Sequence, residues 1–117
     1  MSSEMTMELF SDQFPIPVLF VSGRIDAAAA QNLKAECAAC REAGSMRLVV
    51  SLADVTFVSS SGLGSFLVIS EEFKDAGGSV VFAAPVRSVR HVLKLLNLDQ
   101  FLDLAPDVES ALDLVPA

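Results

Sequence analysis

The chain reads as an α/β protein, a mixed sheet of about four to five strands flanked by about four helices. One observation is the alternation of short runs rich in Val, Leu, Ile and Phe with longer segments whose apolar residues recur at helical spacing. Another is punctuation, since glycines follow the helical segments at Gly44 and at Gly77 with Gly78. Strands that alternate with helices cannot all be joined by hairpins, so some pairs must be parallel and the crossover helices must pack on the sheet.

The elements follow in order. Residues 5–10 (MTMELF) and 16–23 (IPVLFVSG) are two strands joined around Pro15, and residues 27–44 form a helix that ends at Gly44. In that helix Leu33, Cys37 and Cys40 fall at i, i+4 and i+7, a buried stripe. Residues 46–53 (MRLVVSLA) are a buried strand and residues 53–58 (ADVTFV) a turn. The helix over 61–78 carries Leu63, Phe66, Leu67, Ser70 and Phe73 along one face, which leaves Gly64, Ser65, Val68, Glu71, Glu72 and Asp75 outward. Residues 79–84 are a strand. The helix over 86–98 turns Val89, Leu93 and Leu96 inward and Arg87, Arg90, His91 and Lys94 to solvent. A last short strand (101–105) and helix (107–115) complete the pattern.

Composition narrows the function. With 117 residues, 52% hydrophobic and 20% charged, residues 1–117 read as one domain without linkers or low-complexity blocks. A net charge of −7 with only 8 Lys and Arg argues against nucleic acid, whose phosphates call for clustered cations, and against an anionic membrane surface. The segment MSSEMTMELF lacks the basic flank and apolar run of a signal peptide, and no apolar run approaches bilayer-spanning length, so the expected compartment is the cytoplasm. Cys37 and Cys40 form a C-x-x-C, but they belong to the helical stripe, and no second Cys pair and only one histidine exist to complete a metal site. No metal or cofactor is expected.

The chemistry concentrates at FVSSSGLGSF, residues 57–66, where a strand hands over to a helix. The first turn of a helix offers N–H groups without intrahelical partners and a partial positive charge, so a serine there can cap the turn, bind an anion or carry a phosphate. Capping is the commoner use, and the residues alone leave these readings open. Neither phosphate-loop spacing nor the G-x-S-x-G of a hydrolase elbow can be written from this stretch. Nothing in the sequence gathers Asp99 with Asp103, Glu71 with Glu72, or His91 with a partner as an acid/base set, so no catalytic residue is assigned.

Three stretches taken together, GRIDAAAAQNL, RLVVSLADVTFVSSSGLGSFL and AGGSVVFAAPVRSVRHVLKLLNLDQFLDL, resemble along most of the chain the STAS domain of bacterial anti-sigma factor antagonists. That family shows Gly-x-Leu/Ile-Asp before its first helix, here Gly23 to Asp26. It also shows D-S-S/T-G-L-G/A at its second helix and a Gly-Gly turn, here Gly77 and Gly78. The resemblance implies a single STAS domain over 1–117 and a partner-switching role. In that role the unphosphorylated antagonist binds an anti-sigma factor that is also a serine kinase, and phosphorylation of the first serine of the motif releases it. A serine phosphatase would reverse the modification.

Carried onto this chain, the phosphoacceptor is Ser60, with Ser59, Ser61 and Gly62 as its neighbours and helix cap and Asp26, Gly64, Ser65 and Val68 as partner-binding positions. One position departs from the pattern: Ser59 stands where the family has aspartate, so the carboxylate is gone while an oxygen remains to cap the helix. The alternative is a STAS subunit without a phosphoswitch, in a stressosome-like signalling assembly or a lipid or anion transport system.

Overall fold

The computed structural model describes residues 4–115. The described elements run β1 (Thr6–Phe10), β2 (Val18–Ile25), α1 (Ala27–Glu42), β3 (Arg47–Val58), α2 (Ser60–Asp75), β4 (Ser79–Ala83), α3 (Arg87–Leu95), a 3₁₀ turn (Leu98–Gln100), β5 (Asp103–Ala105) and α4 (Val108–Leu114). The strands form one sheet in the order β1-β2-β3-β4-β5. β1 pairs antiparallel with β2 and every other pair is parallel, which is the mixed sheet the alternation of elements demands.

The sheet advances one strand at a time without reversing, and parallel crossovers keep one hand, so α1, α2 and α3 all fall on one face. There Leu33 and Cys37 of α1, Phe66, Ile69 and Phe73 of α2, and Val89 and Leu93 of α3 bury the inward side chains of the strands, among them Leu48, Val50, Leu52 and Phe82. The opposite face carries the other half of each strand's alternation, Val18, Val49, Val81 and Ala83, covered by Ala111 and Val115. Both faces of the central strands are therefore buried, which explains their near-continuous apolar runs.

Several boundaries differ from expectation for identifiable reasons. Residues 53–58 are not a turn: β3 continues to Val58, pairing Asp54, Val55, Phe57 and Val58 with Ser22, Gly23, Arg24 and Ile25. Two register shifts in that pairing absorb the mismatch that made the segment read as irregular. Helix α3 stops at Leu95, because the chain turns left-handed at Asn97 (φ 58°); Leu96, expected inward, is 53% exposed. The expected strand over 101–105 shortens to Asp103–Ala105, with Phe101 left at the surface.

The thiols of Cys37 and Cys40 are both buried, and burial pushes both above their ordinary range, most strongly Cys37. They pack the core as protonated side chains.

Candidate functional site

The site is built where β2 and β3 end side by side. Ile25 and Val58 are paired, and each strand is followed at once by a helix, so α1 and α2 begin next to each other. Ser59 N–H donates to the Ile25 carbonyl at 2.9 Å, tying the second helix start to the strand end that launches the first. Asp26 is the N-cap of α1, its Oδ1 accepting from Ala29 N–H at 2.9 Å. Ser59 is the N-cap of α2, its Oγ accepting from Gly62 N–H at 3.1 Å. A hydroxyl at residue 59 thus makes the capping bond that an aspartate would make.

With Ser59 as the cap, Ser60 and Ser61 are the first two helical residues. Both are exposed, and neither hydroxyl bonds to another described residue. A modification on Ser60 would leave the cap untouched and lie at the positive end of the helix dipole. Gly62 is buried and fits by close approach: a Cβ there would lie 2.6 Å from Val58 Cγ1 and 2.9 Å from the Ile25 carbonyl oxygen. Gly64 has nothing within 4 Å of where a Cβ would stand, so its bareness serves no internal contact.

Ser60, Gly64 and Val68 follow one another at i, i+4 and i+8 along α2, and Val68 is 40% exposed. Glu71, Glu72 and Asp75 continue the exposed side. Ser65, expected beside them, is instead buried at 2% exposure, its Oγ donating to the Gly62 carbonyl at 2.6 Å. The reason is that α2 buries a wider arc than one stripe: it packs on the sheet and along α1, so Gly62, Ser65, Ile69 and Phe73 are interior together with Leu63, Phe66 and Ser70. Ser65 is therefore removed from the contact surface.

Beside this stripe lies a cavity of about 200 Å³ lined by Thr56, Phe57, Val58, Leu63, Ser88, Val89 and Val92, which joins the end of β3 to α3. Phe57, 38% exposed, is held from the other side by the Arg24 guanidinium, 4.1 Å from its ring centroid. Neither Phe57 nor Val92 was singled out as functional from sequence. Phe57 falls in the segment that reads as a turn, and its one signal in the sequence is that Arg24 and Phe57 each precede by one residue the apolar residue that ends a strand.

Comparison with known proteins matches this architecture to one family, the STAS domain, whose model covers residues 12–111. A Bordetella bronchiseptica protein, BtrV, named as a candidate anti-sigma factor antagonist, is 28% identical over 90 residues, 77% of this chain and 75% of that protein. The crystal structure of an anti-sigma factor antagonist from Mycobacterium paratuberculosis superposes with a TM-score of 0.84 at 26% identity, covering 97% of this chain and 95% of the other. The Bacillus cell fate determinant SpoIIAA in its phosphorylated form superposes with a TM-score of 0.68 at 21% identity, covering 92% and 97% of the two chains. With its family model running from before β2 into α4, and so over most of the sheet and the helices on both faces, the chain belongs to the STAS domain family.

Proposed function

We propose that this chain is an anti-sigma factor antagonist that works by partner switching, with Ser60 as the switch. The observation that carries the reading is the first turn of α2: an exposed, unengaged hydroxyl at Ser60 directly after a cap supplied by another residue. The names of the BtrV and mycobacterial relatives support the anti-sigma partner, and the phosphorylated form of SpoIIAA supports modification within this fold.

The unmodified chain, acting in the cytoplasm, presents Ser60, Gly64 and Val68 in line, with Asp26 at the neighbouring helix start, to an anti-sigma factor that is also a serine kinase. The kinase moves the γ-phosphoryl group of ATP to Ser60 Oγ. The P–O bond to ADP breaks as the bond to Oγ forms, and the hydroxyl proton passes to the kinase's base. The product gains about −1.5 to −2 charges at the edge of the contact face, where the incoming partner would have to desolvate them. A serine phosphatase restores the hydroxyl by attack of water on phosphorus. Folding is unaffected at each stage because the helix cap is Ser59 and not Ser60.

Binding to the cognate anti-sigma factor by calorimetry tests this. Ser60→Ala should bind as wild type does, and Ser60→Asp should bind at least about tenfold more weakly, a loss of about 1.4 kcal/mol. Val68→Lys should weaken binding without lowering the melting temperature, since the side chain is exposed. Equal affinity of wild type and Ser60→Asp contradicts the switch.

A further inference from the structure

The β5 edge of the sheet holds a cavity that partner switching does not use. β5 has three residues and begins at Asp103, which pairs with Val81, so the first two residues of β4, Ser79 and Val80, have no partner in β5. A cavity of about 660 Å³ occupies that corner, bounded by α3 at Arg90 and Lys94, by the 3₁₀ turn at Asp99 and by α4 at Leu114. Its described lining includes no residue of α2, so the cavity stands apart from Ser60.

The walls are largely apolar: Val81 and Leu102 are buried, Leu104 is half-buried, and Leu114 at the rim is exposed. The charges are of both signs. Arg90 and Lys94, one helical turn apart on α3, line the cavity together with Asp99 and Asp103, yet none of the four makes an ion pair with another described residue. A hydroxyl completes the set. Ser79 Oγ is buried without a hydrogen-bond partner among the described residues, whereas buried polar groups are almost always partnered. Register places it: Ser79 stands two residues before Val81, and Val81 pairs with Asp103, so the Ser79 hydroxyl and the Asp103 carboxylate share one face of the sheet.

Surface charges and an apolar rim are each ordinary when taken singly. Together they form a concave apolar site with a few convergent polar groups, and its volume lies within the range of about 300–1,000 Å³ usual for small-molecule pockets. The mixture of signs selects the occupant. An anion drawn to Arg90 and Lys94 would meet Asp99 and Asp103, and a cation would meet the reverse, whereas a molecule that carries both charges on an apolar body satisfies both pairs. We propose that this cavity binds a small zwitterion with an apolar body, the chemistry of a free dipeptide with aliphatic side chains. Its carboxylate sits at Arg90 and Lys94, and its ammonium at Asp103, with Ser79 Oγ accepting one of the ammonium hydrogens. Its side chains lie against Val81, Leu102, Leu104 and Leu114.

Titration of the isotope-labelled full chain with the dipeptide leucyl-leucine, followed by the shifts of its backbone amides, tests this. Saturable shifts should map to β5, the start of β4 and α3. The N-acetylated dipeptide lacks the ammonium and the C-amidated one lacks the carboxylate, so each should bind at least about tenfold more weakly. Affinity for leucyl-leucine should fall at least about tenfold in Asp103→Asn and in the double variant Arg90→Gln, Lys94→Gln, and stay unchanged in Lys34→Gln on α1. Circular dichroism should show each of these folded, since Arg90, Lys94 and Asp103 are exposed. Ser79→Ala should weaken binding by about threefold or more while leaving the melting temperature unchanged or raised, because its hydroxyl has no partner to lose within the described fold. Absence of shifts at about 10 mM dipeptide, equal binding of the acetylated or amidated form, or wild-type affinity in Asp103→Asn each overturns the proposal. Tighter binding of octanoate than of the dipeptide overturns the zwitterion and makes the cavity a site for anions, and unchanged affinity in Ser79→Ala overturns the role given to its hydroxyl.

Discussion

Helices α1 and α2 are built to one plan and differ in their first turn. Each has 16 residues, each follows a parallel strand directly, and each is capped by a side-chain oxygen that accepts from the N–H three residues on. Each ends at an alanine C-cap followed by a glycine with positive φ, Gly44 at 99° and Gly77 at 85°. The closing bonds match as well, Ser45 N–H to the Cys40 carbonyl at 3.0 Å and Gly78 N–H to the Phe73 carbonyl at 2.7 Å. Where α1 then has Ala27, Ala28 and Ala29, α2 has Ser60, Ser61 and Gly62. Alanine suffices to start a helix once Asp26 caps it, so the paired hydroxyls of α2 are surplus to folding. That surplus is what the proposed switch would use.

The comparison breaks most visibly at the third position. Gly62→Ala should destabilise by about 1–3 kcal/mol, because a Cβ would press on Val58 and the Ile25 carbonyl. Ala29→Gly at the equivalent position of α1 should cost only about 1 kcal/mol through helix propensity. Denaturant unfolding of both variants checks this, and a neutral Gly62→Ala would remove the close approach from the account.

The caps should behave alike. Asp26→Ala and Ser59→Ala should each cost about 0.5–2 kcal/mol, and Ser59→Asp should be neutral or slightly stabilising through the helix dipole. Ser60→Ala, which removes no described bond, should stay within about 0.5 kcal/mol of wild type. A large loss in Ser60→Ala would make that hydroxyl structural and erase the distinction between the two helices.

Gly64→Ala sharpens the comparison in the other direction. Nothing occupies the space of its Cβ, so the change should stabilise α2 by about 0.5–1 kcal/mol while weakening anti-sigma binding, which thermal melts and calorimetry would read separately.

The smallest expected effect concerns a third cap. The Asp107 carboxylate accepts from Ser110 N–H at 2.7 Å, and that bond holds its pKa below the ordinary aspartate value. Its contribution to α4 is therefore complete above the ordinary value and lost as pH falls through the lowered one. A proton titration followed at the Ser110 amide should show that low midpoint, and the Gly62 amide under Ser59 should show no titration of its own cap, since a hydroxyl does not ionise there.

Much of this was legible in the sequence because it is local. Leu33 and Cys37 or Phe66 and Phe73 declare a buried stripe through spacing alone, and Gly44 and Gly77 mark helix ends because the backbone turns left-handed there. The features that depart from the sequence expectation depend on neighbours. Asp54 looked like a turn residue until β2 supplied the pairing that carries β3 on to Val58. Ser65 looked outward because polarity usually means solvent, whereas its hydroxyl is satisfied within its own helix and its small size suits the wide buried arc of α2. Leu96 looked buried because its spacing is right, but the helix ends before any element covers it. The exposure of Phe57 and its stacking on Arg24 required two strand ends to be brought together.

The central claim is that α2 begins with a hydroxyl, Ser60, that folding does not need and a kinase modifies. Its most direct measurement is to incubate the chain with ATP and its cognate anti-sigma kinase and map the phosphate by peptide mass spectrometry, on wild type and on Ser60→Ala. One phosphate on Ser60 in the wild type and none in the variant is the predicted result. Phosphate found only on Ser59 or Ser61, or none on any of the three while the kinase binds the chain tightly, would contradict it.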